Sequence, residues 1–257
     1  MRNVKATRYV TPLREGGSLP AIVEADDDGL YVLKFRGAGQ GSKALIAELI
    51  AGEIGRALGL LVPDIVFIEL DPELARTEGD PEIQELIRRS AGLNLALDYL
   101  PGSVMFNHAA DKIDNNLASS IVWFDAFISN IDRTIRNTNM LLWHRRFYLI
   151  DHGASLYFHH RWNDYIEKSK DPFPFIKDHV LLNSASSLEK ADKELSRKIS
   201  KELIKNIVNQ IPDIWLSGDS AFGSPGEYRN AYTDYLLNRL KHRHFFIEEA
   251  IRAKSLL

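Results

Sequence analysis

The stretch from Phe124 to Leu156 constrains this chain most, because it reads as three kinds of structure in unbroken succession. Ile121, Val122, Phe124, Ala126, Phe127 and Ile128 make Leu117 to Ser129 strongly apolar, so a core helix is expected there. A polar loop holding Asp132 and Asn137 follows. Met140 to Trp143 and Phe147 to Ile150 then read as two short apolar strands around His144-Arg145-Arg146. A turn centred on His144 sets Asn137 opposite Asp151 at the open end of this hairpin, with backbones about 5 Å apart.

That pairing brings an amide oxygen and a carboxylate together beside a polar loop. Such oxygens suit Mg2+, which takes one or two protein groups and fills its remaining positions with substrate phosphates and water. A carboxylate at Asp132 would orient a substrate hydroxyl and accept its proton. Arg133 and Arg136 are nearby cations that neutralise phosphate or hold the loop. The plainer reading is a helix-ending loop whose Asp and Asn cap turns, with Asp151 at a strand end. Taken together, the spacing of Asp132, Asn137, Asp151 and Gly153 favours chemistry.

Upstream, residues 4–10, 21–25 and 30–36 read as three short strands by alternation. Gly16-Gly17 with Ser18 lies between the first two. Its backbone N–H groups would suit phosphate, and a plain hairpin turn explains it as well. Asp26-Asp27-Asp28-Gly29 is the next turn. Lys34 stands mid-strand, and a helix from about Lys43 to Leu58 follows, stopped by Gly59. Glu48 or Glu53 on that helix would steady Lys34 for a phosphate, or both face solvent. Residues 64–70 form a strand, 81–89 a surface helix, and Leu93 to Leu100 a strand stopped by Pro101-Gly102. That last strand suits a connector whose backbone, at Asp98 and Leu100, hydrogen-bonds a flat heterocycle. After the hairpin the pattern is helical at 188–195, at 199–211 and in one long helix over 225–256. The chain is therefore α+β, strand-rich to about residue 100 and helix-rich after it. Residues 1–100 form an N-lobe and hinge, and residues 101–257 a helical C-lobe.

Composition narrows the class. The net charge of -3 gives no support for a nucleic-acid binder driven by bulk charge. The chain has no cysteine, which excludes disulfides and thiolate metal sites. No apolar run approaches the ~20 residues of a membrane span. Met1 to Thr7 lacks the apolar core of a signal peptide, so a cytoplasmic protein is expected.

These residues resemble the protein-kinase-like superfamily. Asp132 and Asn137 match its catalytic-loop pattern of an Asp followed five residues later by a metal-binding Asn. Asp151-His152-Gly153 is similar to its Asp-Phe-Gly, and Lys34 with Glu48 resembles its strand lysine and helix glutamate. Within the superfamily the chain resembles the compact HipA-like kinases, through Asn130-Ile131-Asp132-Arg133 and the helix from Glu48 to Gly59. The Gly-x-Gly-x-x-Gly loop and the Ala-Pro-Glu segment of protein kinases are missing from the sequence. The resemblance implies a single bilobed kinase domain, with a small antiparallel-sheet N-lobe carrying one helix and a larger helical C-lobe. It implies ATP and Mg2+ as cofactors, Asp132 as base, and Asn137 and Asp151 as metal ligands. Lys34, held by Glu48, would meet the phosphates with Gly17 and Ser18, and Asp98 and Leu100 would meet adenine. The acceptor is expected to be a protein Ser or Thr; a small-molecule kinase and a nucleotide-binding pseudokinase are the alternatives. An antitoxin-like partner has no support in the sequence.

Overall fold

The protein is described by a computed structural model covering residues 1–13, 19–218 and 220–257. Its chain divides into two compact units: Met1–Leu49 with Pro63–Gly102, and Ile50–Val62 with Ser103–Leu257. The sequence reading divided it once, at residue 100, whereas the second unit also takes in Ile50–Val62. Among the described residues no helix is long and apolar enough to cross a membrane.

The first unit is built on a closed five-stranded barrel. β1 (Arg2–Pro12), β2 (Ala21–Ala25) and β3 (Leu30–Lys34) run antiparallel in succession. β4 (Ile65–Leu70) and β5 (Gly92–Asp98) complete the ring in the order β1-β2-β3-β5-β4. Closure comes from a parallel pairing of β1 with β4, Arg2 facing Val66 through Lys5 facing Glu69. Alternation decides the inner face: Val4, Ala6, Tyr9, Ala21, Val23, Ala25, Tyr31 and Leu33 are buried. The expected turn at Asp26–Gly29 forms, with Asp28 left-handed at φ 62° and the Asp27 carboxylate accepting from Gly29 N–H. Two helices belong to the intervening chain, α1 (Ser42–Leu58) and α2 (Pro81–Arg89). α1 stops as its sequence requires. Gly59 sits at φ 88°, its N–H donating to Arg56 O, and Leu60 N–H reaches back to Gly55 O at 3.0 Å. These two bonds satisfy carbonyls that a helix end would otherwise leave unpaired, and the left-handed φ favours glycine.

The second unit is built around α3 (Asn115–Ile128), capped by the Asp114 carboxylate, whose last eleven residues include ten buried ones. A small sheet follows in the order β6 (Val104–Met105), β7 (Met140–Trp143), β8 (Arg146–Leu149). The remainder is helical: α4 (Tyr165–Lys168), α5 (Leu188–Leu195), α6 (Lys201–Val208), α7 (Asp213–Leu216), α8 (Pro225–Lys241) and α9 (His244–Lys254). The single long helix expected over 225–256 is broken at His242–Arg243. The break turns Phe246 into the core, where it packs edge-on against Trp123 at 5.8 Å between centroids. Arg239 on α8 is fully buried and closes the C-terminus of α3, donating to Phe127 O at 2.7 Å and Ala126 O at 2.6 Å. It also donates to Ser169 O and Asp171 O. Burial pushes this guanidinium down from its ordinary pKa, and the carbonyl dipoles at the helix end are what make a cation tolerable there.

Candidate active site

Lys34 ends β3 and Glu48 lies in the N-terminal half of α1. Their charged groups meet at 3.3 Å, with side chains 12% and 1% exposed. The choice left open by the sequence is thereby resolved for Glu48, while Glu53 pairs with Arg56 on its own helix at 3.5 Å. Coulomb attraction at this separation is worth about 4 kcal/mol at an effective dielectric of 20, and desolvation removes much of it. The pair is therefore better explained by the direction it gives the lysine than by stability. Asp98 spends its backbone N–H on Asp64 O at 2.8 Å, and Tyr99 N–H donates to Leu30 O. The N–H groups of Asp98 and Tyr99 are thus already used within the first unit. Gly17 and Ser18 lie outside the described residues.

In the second unit, α3 ends on Ser129 in the left-handed region, φ 56°, which turns the chain sharply into the polar loop. Asn130 Oδ1 then accepts the backbone N–H of Asp132 at 3.1 Å. The Asp132 carboxylate is held from two sides. Its Oδ2 accepts from Asn137 Nδ2 at 2.8 Å and from Asn139 Nδ2 at 3.2 Å. Thr134 closes the loop, its N–H bonding Asn137 O at 2.9 Å while its hydroxyl accepts from Asn137 N–H. Asp132 and Asn137 are therefore in direct contact. Asn139 was missed in the sequence. It sits in the left-handed region at φ 47°, which asparagine adopts more readily than other non-glycine residues.

Beneath the loop is a charge that the sequence analysis did not single out. Asp125 is fully buried in α3 and accepts from Arg133 Nε at 2.6 Å, His179 Nε2 at 2.9 Å and Asn130 Nδ2 at 2.9 Å. His179 Nδ1 accepts from Leu181 N–H at 3.0 Å, so the ring proton sits on Nε2 and points at the carboxylate. Burial by itself would raise the Asp125 pKa. The Arg133 guanidinium and the His179 hydrogen bond outweigh it and hold the carboxyl well below the usual range. Arg133 also donates to Asn139 O and is itself fully buried. Of the two roles open to Arg133, holding the loop is the one that its burial allows; neutralising phosphate is not. The signal that could have revealed Asp125 is its isolation as the one charged side chain of an apolar helix.

The hairpin differs from expectation by one residue. Met140 faces Leu149 and Trp143 faces Arg146, leaving a two-residue turn of His144 and Arg145, at φ 47° and 63°. A turn with both central residues left-handed matches the twist of the flanking strands better than the three-residue turn read from the sequence. Asn139 O consequently accepts Ile150 N–H at 3.0 Å, and Asp151 comes level with Thr138, not Asn137. The hairpin thus carries Asp151, itself left-handed at φ 57°, back to the strand entry beside the asparagine-rich loop. No cluster of three or more His, Cys, Asp or Glu side chains suited to a metal exists among the described residues. The oxygens that could hold a metal at the hairpin entry are the Asn137 amide and the Asp151 carboxylate. Asn137 turns its Nδ2 to Asp132, which leaves Oδ1 on the far side of the planar amide. Asn137 and Asp151 supply hard oxygen donors, and two such protein groups fit Mg2+ used together with phosphates.

The family model for HipA-like kinase matches residues 7–249. The chain belongs to the HipA-like kinase family. No curated protein sequence matches it. Among solved structures it resembles the Helicobacter pylori proinflammatory kinase CtkA, with a TM-score of 0.56, 13% identity, and 100% of this chain and 98% of that one covered. It also resembles the Golgi casein kinase with Mn/ADP bound, TM-score 0.53 and 12% identity over 96% of this chain and 74% of that one. A second Golgi casein kinase structure gives a TM-score of 0.51 at 13% identity, over 98% of this chain and 76% of that one. These neighbours share the kinase fold, and membership of the family makes the protein a kinase.

Proposed function

We propose that this kinase transfers the γ-phosphate of Mg-ATP to a protein serine or threonine. The observation that carries the reading is the Asp132 carboxylate held by Asn137 at 2.8 Å inside the loop of a HipA-like kinase. Phosphoryl transfer asks little covalent chemistry of the protein and mainly needs positioning and charge neutralisation. Asp132 orients the acceptor hydroxyl and takes its proton. Asn137 Oδ1 and the Asp151 carboxylate hold the magnesium ion, which neutralises phosphate charge when bound. Lys34, aimed by Glu48, pairs with the α- and β-phosphates. Leu100 N–H donates to the adenine ring. The casein kinase structure with Mn/ADP bound supports a nucleotide and a divalent ion in this fold.

A polypeptide acceptor is favoured by the surface beside the base. Ile131, Tyr157 and Phe175 are 38%, 58% and 61% exposed and line one cavity of about 560 Å3 with Ser129 and Arg161. Apolar side chains left in water on a surface that includes Ile131, the residue before Asp132 in the chain, suit an apolar residue of a bound polypeptide. The test is incubation with γ-labelled ATP and Mg2+, with and without cell lysate, beside Asp132→Asn and Asp151→Ala. Label on protein that disappears in both variants supports the reading. Label on a metabolite alone moves the acceptor to a small molecule. Thermal stabilisation by Mg-ATP without transfer makes the protein a nucleotide-binding pseudokinase.

A further inference from the structure

The buried carboxylate of Asp125 reaches Asp132 along two separate hydrogen-bonded routes. One runs through the Asn130 side chain, which donates to Asp125 at 2.9 Å and accepts the Asp132 backbone N–H at 3.1 Å. The other runs through Arg133, which joins Asp125 at 2.6 Å and the Asn139 carbonyl, while the Asn139 amide holds Asp132 Oδ2 at 3.2 Å. Main chain and carboxylate of Asp132 are therefore both referred to one buried charge.

A third arm leaves the same carboxylate. His179 Nε2 donates to Asp125 Oδ2 at 2.9 Å, and its Nδ1 accepts from Leu181 N–H. His179 pairs with Thr134 in an isolated antiparallel bridge, and Val180 N–H donates to Arg133 O at 3.1 Å. The chain around His179 is thus stitched to the loop at two successive positions, Arg133 and Thr134, and to Asp125 of α3 beneath it. Residues 177–180 and 134–136 line one cavity of about 680 Å3, so the stitching also shapes the surface directly after the base.

We propose that Asp125 and His179 are positioning residues for phosphoryl transfer: His179 clips the segment around Asp178–Leu181 onto the catalytic loop and fixes Asp132 through Asp125. This rests on the kinase reading of Asp132. A shift of about 1 Å in a catalytic group costs on the order of 10²-fold in rate, so the effect should fall on turnover rather than on nucleotide binding.

The test compares His179→Leu with His179→Gln, whose amide N–H reaches the place of Nε2. His179→Leu should lower kcat at least ~10-fold with KM for ATP changed less than ~3-fold, and His179→Gln should return kcat to within ~3-fold of wild type. Amide exchange should quicken by ~10–100-fold at Thr134 and Val180 in His179→Leu, with the amides of α3 unchanged. Equal kcat in wild type and both variants, or unchanged exchange at Thr134 and Val180, overturns the proposal. A wild-type protein that binds Mg-ATP but transfers no phosphate sinks the kinase reading instead. The exchange measurement still decides whether His179 holds the loop.

Discussion

Two buried ion pairs, one in each unit, are built on opposite plans. Lys34–Glu48 joins one strand to one helix, and the lysine keeps 12% of its side chain exposed. Asp125–Arg133 is wholly buried, and its carboxylate also receives Asn130 and His179. In the proposed function the first arrangement presents a charge to phosphate. The second presents nothing and instead fixes the groups around it. A cation that must meet phosphate needs exposure, whereas a carboxylate that must hold a loop needs burial and several donors.

The sharpest way to break this contrast is to remove Asp125. Asp125→Ala strands the Arg133 guanidinium in the interior, and loss of one partner of a buried pair costs about 3–5 kcal/mol. Urea unfolding should show that loss as a lower midpoint with little change in slope. A cost below about 1 kcal/mol would mean that water or rearrangement replaces the carboxylate, and the contrast would collapse.

Arg239 offers a second, smaller break. It holds carbonyls at the end of α3 and in the 169–171 stretch, so Arg239→Met leaves up to four acceptors without their donor. About 2–4 kcal/mol of unfolding free energy should go. Because this anchor sits at the loop's entry, kcat should fall along with stability, unlike a change in the far helices.

The two plans also differ in how far the sequence displays them. The contacts of Lys34 with Glu48 and of Asp132 with Asn137 join residues that the sequence singles out, each at a fixed spacing from a helix, strand or turn signal. The elements were legible for the same reason: alternation marked β2 and β3, Gly59 marked the end of α1, and the apolar run marked α3. What was hidden depends on long-range packing. His179 lies 54 residues from Asp125, and no local pattern joins them. The hairpin register slipped by one because turn length, set by backbone twist, is not encoded in the apolar pattern. The break at His242–Arg243 was missed because helical periodicity continues across it, and only the burial of Phe246 against Trp123 requires it.

Acid sharpens the comparison further. The folded-state pKa of Asp125 is depressed, while in the unfolded chain it returns to ~3.9. Its contribution is therefore fully present above about pH 5 and is lost as pH falls through that unfolded value toward the folded one. Wild type should lose more stability between pH 5 and 3 than Asp125→Asn does. The measurement is the difference in urea midpoint at the two pH values, taken for both proteins, so that carboxylates common to both cancel. Equal losses would show that folding does not lower the Asp125 pKa.

The smallest expected change in stability belongs to the other pair. Replacing both partners of a buried ion pair with apolar groups of similar volume is often neutral or stabilising, because two desolvation costs disappear with one attraction. Lys34→Met with Glu48→Leu should therefore leave unfolding free energy within about 1 kcal/mol of wild type. Each single change should cost more, Lys34→Met most of all, since it leaves Glu48 charged at 1% exposure. Mg-ATP should nevertheless stabilise the double variant far less than it stabilises wild type, because the charge offered to the phosphates is gone. A thermal-shift titration reads both quantities in one experiment. If the double variant is strongly destabilised and still gains full stabilisation from Mg-ATP, Lys34–Glu48 is a structural pair, and the two units hold their charges for the same purpose.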